Sequence, residues 1–354
     1  MLVTAIGGGG HGHQILKALL LAPQGRYRIF GADANPNCPQ ASLVDKFVTL
    51  PPASDSNYMD RLLTLCNNLR VDALFHGCEP ELLLFASNRK TIENAGIFLP
   101  INDTELIKLC MNKSKTNARL SELGFPAPRY IKVTRKSDLD LIDWYPVVVK
   151  PTVGGGGSAN VYIAQNINEL NALFVYLGLG VITIDLMVQE YVGIPENEFT
   201  VGVLHDLDGR YINSIAVRRH LNNGLSIRLS VPNRTNRVDL GPRLVISSGV
   251  SQGDIGRFEE VTTQCREIAD HLGSRGPLNI QCRFVEGKVM VFEINPRFSG
   301  TTSLRAMAGL NEPDLLLRRH ILNQNICQNA SYQEATILRS LAETINLHIS
   351  GVSK

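Results

Sequence analysis

Val289-Met290-Val291-Phe292 is a run of apolar β-formers, and Glu293-Ile294-Asn295-Pro296-Arg297 follows it directly. The run predicts a strand. Side chains of a strand alternate faces, so Glu293 and Asn295 share one side. Two oxygen-bearing side chains on one rigid strand suit a hard cation such as Mg²⁺. Pro296 ends the pairing because it has no N–H to donate. Arg297 then offers a planar cation suited to phosphate or carboxylate. A metal beside an anion clamp is the equipment of phosphoryl transfer. Upstream, Asn279-Ile280-Gln281-Cys282-Arg283-Phe284-Val285 reads as a partner strand, joined through the short loop Glu286-Gly287-Lys288. A loop centred on Gly287 sets Gln281 opposite Glu293, so Gln281, Glu293 and Asn295 form one oxygen-rich patch. The plainer alternative is a surface hairpin with an ordinary polar face.

The whole sequence of 354 residues bounds this reading. The length predicts two or three structural units. A hydrophobic fraction of 44% is that of a globular protein, and a formal charge of +2 argues against nucleic acid or an anionic membrane as the main partner. No apolar run approaches the roughly 20 residues of a membrane span. Met1-Leu2-Val3-Thr4-Ala5-Ile6 runs into glycines without the basic start or cleavage site of a signal peptide. The seven cysteines are scattered and include no Cys-x-x-Cys, which predicts reduced thiols in a cytoplasmic protein, not a disulfide frame or zinc site.

Strand and helix patterns alternate through residues 2–95, as in a small Rossmann-like α/β unit with a parallel sheet. Residues 104–122 read as one helix with Asp103 at its N-cap, and 81–95 as another. From residue 129 the pattern turns to strand-rich α+β, with a helix at 257–272.

Gly7, Gly9 and Gly12 fit G-x-G-x-x-G after a strand, with Asp33 ending the next strand, the outline of a dinucleotide (NAD) site. The plainer alternative is a tight turn that needs glycine, with His11 and His13 as turn residues. Lys150 ends an apolar strand and leads into Gly154-Gly155-Gly156-Gly157-Ser158. A lysine there can neutralise phosphate, and backbone N–H groups of a glycine loop can close over phosphates. No Gly-Lys-Ser/Thr closes the loop, so it is not a P-loop. Lys113 taken alone reads as a solvated helix lysine. Glu190 and Glu198, at a change of region, could bind an adenine amino group and ribose hydroxyls. Arg218, Arg219, Arg228, Arg234, Arg237 and Arg243 crowd one stretch, where one or two could clamp an acidic substrate or a γ-phosphate.

In this order the motifs resemble the ATP-grasp superfamily, above all the ATP-binding halves of the carbamoyl phosphate synthetase large subunit and stand-alone relatives of them. The resemblance implies a Rossmann-like pre-ATP-grasp domain (1–103), a linker helix and small ATP-grasp subdomain (104–192), and a large subdomain with the metal site (193–354). It implies that Lys113 and Lys150 contact ATP phosphates and that Gly154, Gly155, Gly156, Gly157 and Ser158 form the loop over the γ-phosphate. Glu190 and Val192 would make the adenine hinge, and Glu198 would bind ribose. Gln281, Glu293 and Asn295 would hold Mg²⁺, usually two ions, with Mn²⁺ as a substitute. Arg297 would stabilise the transferred phosphoryl group or an acyl phosphate. Many family members have a carboxylate where this chain has Gln281, and the chain is far shorter than a whole carbamoyl phosphate synthetase. In this family the first unit does not bind NAD and often lines the substrate pocket, so the glycine turn and Cys78-Glu79-Pro80-Glu81 would face the acceptor.

The expected function is therefore an ATP-dependent carboxylate–amine ligase working through an acyl phosphate, with small-molecule substrates and a homodimeric assembly. The alternatives are activation of bicarbonate or a small acid with ammonia as acceptor, an NAD(P)-dependent oxidoreductase, and a nucleotide sensor without chemistry.

Overall fold

A computed structural model describes residues 1–154, 156–178 and 185–344. Gly155 of the glycine loop lies outside the described residues.

The chain opens with β1 (Leu2–Val3), α1 (His11–Leu20), β2 (Phe30–Asp33), β3 (Lys46–Thr49), α2 (Tyr58–Leu69), β4 (Leu74–Phe75), α3 (Glu79–Ser87) and α4 (Arg89–Asn94). The strands form a parallel sheet in the order β3-β2-β1-β4, which is doubly wound. β1 and β4 are buried on both faces, as parallel strands under helices are. β1 stops at Val3, because the backbone turns at Ala5, whose φ is 45°. α1 begins hard against that turn. A Cβ on Gly12 would lie 2.6 Å from the carbonyls of Thr4 and Ala5 and 2.7 Å from Gly77 Cα, so only glycine lets the helix sit there. The expected helix over 81–95 is two helices, α3 and α4, that meet at Asn88.

The expected single helix over 104–122 is also two, α5 (Thr104–Cys110) and α6 (Lys113–Glu122). Asp103 holds the N-cap position of α5 without a side-chain cap bond. Asn112 caps α6 by accepting from Lys115 N–H at 3.0 Å, and Lys113 N–H donates to Thr152 O at 2.8 Å. The break thus places Lys113 in the first turn of α6, against the end of the next sheet.

That sheet is antiparallel, ordered β5-β8-β6-β7, from β5 (Tyr130–Val133), β6 (Val147–Pro151), β7 (Tyr162–Ala164) and β8 (Leu186–Glu190), backed by α7 (Ile167–Tyr176). Its core (Val133, Val149, Phe174, Val188 and others) is separate from the rest.

The largest sheet is built from β9 (Glu198–His205), β10 (Tyr211–Arg219), β13 (Gly253–Gly256), β14 (Pro277–Val285), β15 (Lys288–Asn295) and β16 (Ala335–Ile337), in the order β15-β14-β9-β10-β13-β16. α8 (Glu259–His271) covers one face, while α9 (Thr302–Met307) and α10 (Glu312–His320) pack toward α1. A two-stranded ladder, β11 (Ile227–Pro232) with β12 (Arg243–Ser247), packs Leu240, Leu244 and Val231 on Tyr191, Val148 and Ile163 beside the small sheet.

Candidate active site

The hairpin β14–β15 turns at Glu286 and Gly287, both at positive φ, a two-residue loop. That loop alone would pair Gln281 with Phe292. A bulge between Gln281 and Cys282 leaves Phe292 unpaired and sets Gln281 opposite Glu293. The expected cross-strand patch therefore forms, through the bulge. The bulge has a second effect: the freed Phe292 carbonyl accepts Lys150 Nζ at 2.9 Å.

Around this point the structure opens a cleft between the small and large sheets. Lys113, Lys150, Ser158, Glu190, Val192, Glu198, Gln281 and Glu293 all line it. Its apolar walls are Val148, Val161, Ile246 and Phe292, and Gln189 sits among them, donating through Nε2 to Asn117. Lys113 is not solvated: it is largely buried, donates to Gly154 O at 2.8 Å and pairs with Glu293 at 3.4 Å. Burial pulls the Lys150 ammonium down to about 7; Lys113 adds to the shift and Glu293 opposes it. Burial pushes the Glu293 carboxyl up, but Lys113, Lys150 and Arg297 outweigh it and leave it below its ordinary value, hence ionised.

Glu190 pairs with Arg129 at 3.0 Å and with Arg237 at 3.6 Å. The Val192 carbonyl accepts from Arg283. Glu198 is buried between Arg219 and Arg283, each at 3.1 Å. Both its oxygens are engaged, and a carboxylate retains lone pairs for a further donor. Arg283, unmarked by the sequence reading, stacks over Tyr191 at 4.4 Å and ties β14 to the hinge segment. No short-range pattern marks it; its partners are 38 to 91 residues away.

Glycine-loop residues Gly154 and Gly157 both have positive φ. From Gly156 to Ser158 the backbone turns sharply, with Gly157 and Ser158 both left-handed, at φ 66° and 62°. Ser158 Oγ donates to Ser247 O at 2.7 Å, and a Cβ on Gly249 would lie 2.9 Å from Gly157 Cα. The loop thus rests on the 247–249 segment at the inner end of the cleft.

Beyond that point lies a second chamber of about 690 Å³. Ser158, Gln281 and Glu293 belong to both cavities. Asn295, Arg219, Arg297 and Arg339 line the chamber on one side, with Gly8–Gly10, His11, Cys78, Glu79 and Pro80 on the other. Of the arginine-rich stretch 218–243, only Arg219 reaches it; Arg218, Arg234 and Arg237 pair with Asp254, Glu169 and Asp239. Arg297 pairs with Glu79 at 2.9 Å and donates to Asn295 Oδ1 at 3.0 Å. Arg339 was not foreseen from sequence; it donates to Ser251 O at 2.8 Å. Glu81 turns away and accepts from Thr4 Oγ1, Tyr58 Oη and Gly77 N–H. Asp33 accepts from Gly7 N–H at 2.7 Å and from Asn35 N–H, so it braces the glycine turn.

The donor set fits a divalent cation. Glu293 is ionised, Gln281 donates to it through Nε2 at 2.8 Å and keeps Oε1 as an acceptor, and Asn295 presents Oδ1 beside Arg297. Oxygen donors of three side chains meet beside a cavity, the chemistry Mg²⁺ prefers. A separate trio, Asp206, Asp208 and His320, is held by Arg319 and the Leu207 N–H.

Residues 2–99 match the model of the PylC-like, N-terminal domain, and residues 183–343 that of ATP-grasp in the biosynthetic pathway with Ter operon. The chain is 26% identical over 229 residues to the carbamoyl phosphate synthase large chain of Thermoplasma acidophilum, covering 62% of this chain and 20% of that one. It is 28% identical over 134 residues to D-alanine–D-alanine ligase A of Bacillus cereus, covering 36% and 41%. These matches span less than half the length of the curated relatives. The fold resembles the crystal structure of L-amino acid ligase from Bacillus licheniformis, with a TM-score of 0.64 at 18% identity over 90% of this chain and 73% of that one. No helix among the described residues is long and apolar enough to cross a membrane. The chain thus carries a PylC-like unit over residues 2–99 followed by an ATP-grasp region over residues 183–343.

Proposed function

We propose that this chain is an ATP-dependent carboxylate–amine ligase, built of units 1–103, 104–192 and 193–354. The observation that carries the reading is the junction of two cavities at Ser158, Gln281 and Glu293. One cavity has the apolar walls and lysines suited to a nucleotide. The other has the arginines suited to an acid.

ATP lies in the cleft with its adenine between the apolar walls near Glu190 and Val192, its ribose near Glu198, and its phosphates toward Lys113, Lys150 and Gly154–Ser158. Mg²⁺ held by Gln281, Glu293 and Asn295 would supply charge neutralisation at the phosphate oxygens. A substrate carboxylate oxygen attacks the γ-phosphorus, the bond to the β-bridging oxygen breaks, and ADP leaves. Arg297, on the border of chamber and patch, offsets charge on the transferring group. The amine nitrogen of a second substrate then attacks the acyl carbon, phosphate departs, and the nitrogen loses its proton to water. No covalent bond to the enzyme is needed. Two of the similar proteins are by name ligases of amino acids, which supports this class of substrate.

The test is ADP release from ATP and Mg²⁺ with amino acids and small acids offered singly and in pairs. Release that depends on one pair supports the reading. Release with bicarbonate and ammonia alone replaces it with small-acid activation, although the chamber is far larger than those substrates require. NADH binding without ATP binding would replace it with a dehydrogenase.

A further inference from the structure

Beside the chamber, at the carboxyl ends of β1, β2 and β4, lies a third cavity of about 300 Å³. Open parallel sheets bind ligands in this crevice. It adjoins the chamber: Ala5, Asp33, Cys78 and Pro80 line both. Its other walls include Ala32, Ala34, Leu50, Pro52 and the ring of Tyr58.

Both carboxylates on its wall already hold donors of the chain itself. Asp33 holds Gly7 and Asn35 N–H groups. Glu81 takes the Thr4 and Tyr58 hydroxyls and the Gly77 N–H. Burial, with Glu81 adding to it, pushes the Cys78 thiol up to about 12, so it faces the space uncharged. What is left for an occupant is mainly carbon and sulfur surface. The adjoining chamber differs, with Arg219, Arg297 and Arg339 on its wall and Asn295 Nδ2 unpartnered.

We propose that this alcove is a specificity subsite that takes the apolar side chain of an amino-acid substrate whose charged groups lie in the arginine-lined chamber. The proposal rests on the ligase reading and names the substrate class for it. A polar or charged side chain would lose its water here and find few free partners, whereas an aliphatic or aromatic one loses nothing.

The test is calorimetric binding of L-leucine, L-phenylalanine, L-alanine, L-aspartate and L-lysine to the full chain with Mg²⁺ and a non-hydrolysable ATP analogue. Ala53→Phe and, independently, Ala34→Leu fill the alcove from exposed or half-exposed loop positions. Leucine or phenylalanine is expected to bind best. Each variant is expected to weaken that binding by about tenfold or more while leaving affinity for the ATP analogue unchanged, which also reports an intact fold. Preference for aspartate or lysine overturns the proposal. So do unchanged leucine and phenylalanine affinities in both variants, or no amino-acid binding at all. Alcove-dependent binding without ADP release from any pair would leave the subsite standing and overturn the ligase reading alone.

Discussion

Lys150 is buried, and its ammonium donates to a main-chain carbonyl, not to a carboxylate. Burial therefore dominates and brings it to about 7. A polyphosphate in the cleft would restore its charged form. Above pH 7 the free protein lacks that proton and the complex holds it, so ATP binding takes up a proton and weakens as pH rises. At pH 6 the proton is already present. Calorimetry at pH 8 in buffers of different ionisation enthalpy is expected to show uptake of roughly one proton, near zero at pH 6, and none in Lys150→Met. In folding the sign is related: from pH 7 toward the ordinary lysine range the unfolded chain binds more protons, so the penalty of burying Lys150 shrinks as pH rises. On turnover, Lys150→Ala, Glu293→Ala and Arg297→Ala are each expected to cost roughly 10²–10³, the loss of one preorganised charge. A near-normal rate in Glu293→Ala would remove that residue from the site.

Elements set these residues in place, and they differ in how much of themselves the sequence discloses. The hairpin was legible because its strands are apolar and its turn carries Gly287; the bulge at Phe292 was not, since no residue type announces it, yet it sets the Gln281–Glu293 pairing and frees the carbonyl for Lys150. The break between α5 and α6 escaped sequence reading for a similar reason. The bond from Lys113 N–H to Thr152 O, 39 residues on, competes with the helix ladder only once the small sheet is present. Arg283, Arg339 and the Glu79–Arg297 pair are likewise long-range contacts without local pattern. The glycine loop was legible as a loop, but its seat was not. Gly157 crosses Gly249 so closely that a single Cβ would collide with the backbone. Gly249→Ala is accordingly expected to lift the loop from its seat and lower kcat by about tenfold or more, with ATP affinity within about twofold. Normal kcat in Gly249→Ala would mean that this seat is not the working position of the loop.

Across the whole molecule, the first unit is joined to the large sheet through a common core. Val3, Ile15, Leu16 and Phe75 from the parallel sheet and α1 pack with Leu204, Ile212, Phe298, Leu316 and Leu317 from the large-sheet region. Polar ties flank this core: Arg26 and Tyr27 to Asp314 at 2.8 Å, Asn311 to Ala18 O, and Asn102 to Pro277 O at 2.7 Å. The small sheet has its own core and meets the rest at the hinge, the β11–β12 ladder and the glycine-loop seat. The sequence displayed the separate patterns of these parts, but not that two of them share one interior, because apolar faces of α1 and α10 read alike whether they cover their own sheet or each other. The consequence is mechanical: the chamber is walled by parts that cannot separate cheaply, and the nucleotide cleft lies where a separate lobe meets them. Phe298 is fully buried in the shared core, against Phe75 at 5.9 Å between ring centres. Phe298→Ala removes contacts from both sides at once and is expected to cost about 3–5 kcal/mol. In hydrogen exchange, protection is expected to fall by the same amount in peptides covering β1, α1 and β10, because they open as one unit. Peptides covering β6 and β8 are expected to keep their protection. A loss confined to the large sheet, with β1 and α1 unchanged, would show that the first unit holds its structure independently and that the chamber can open along that seam.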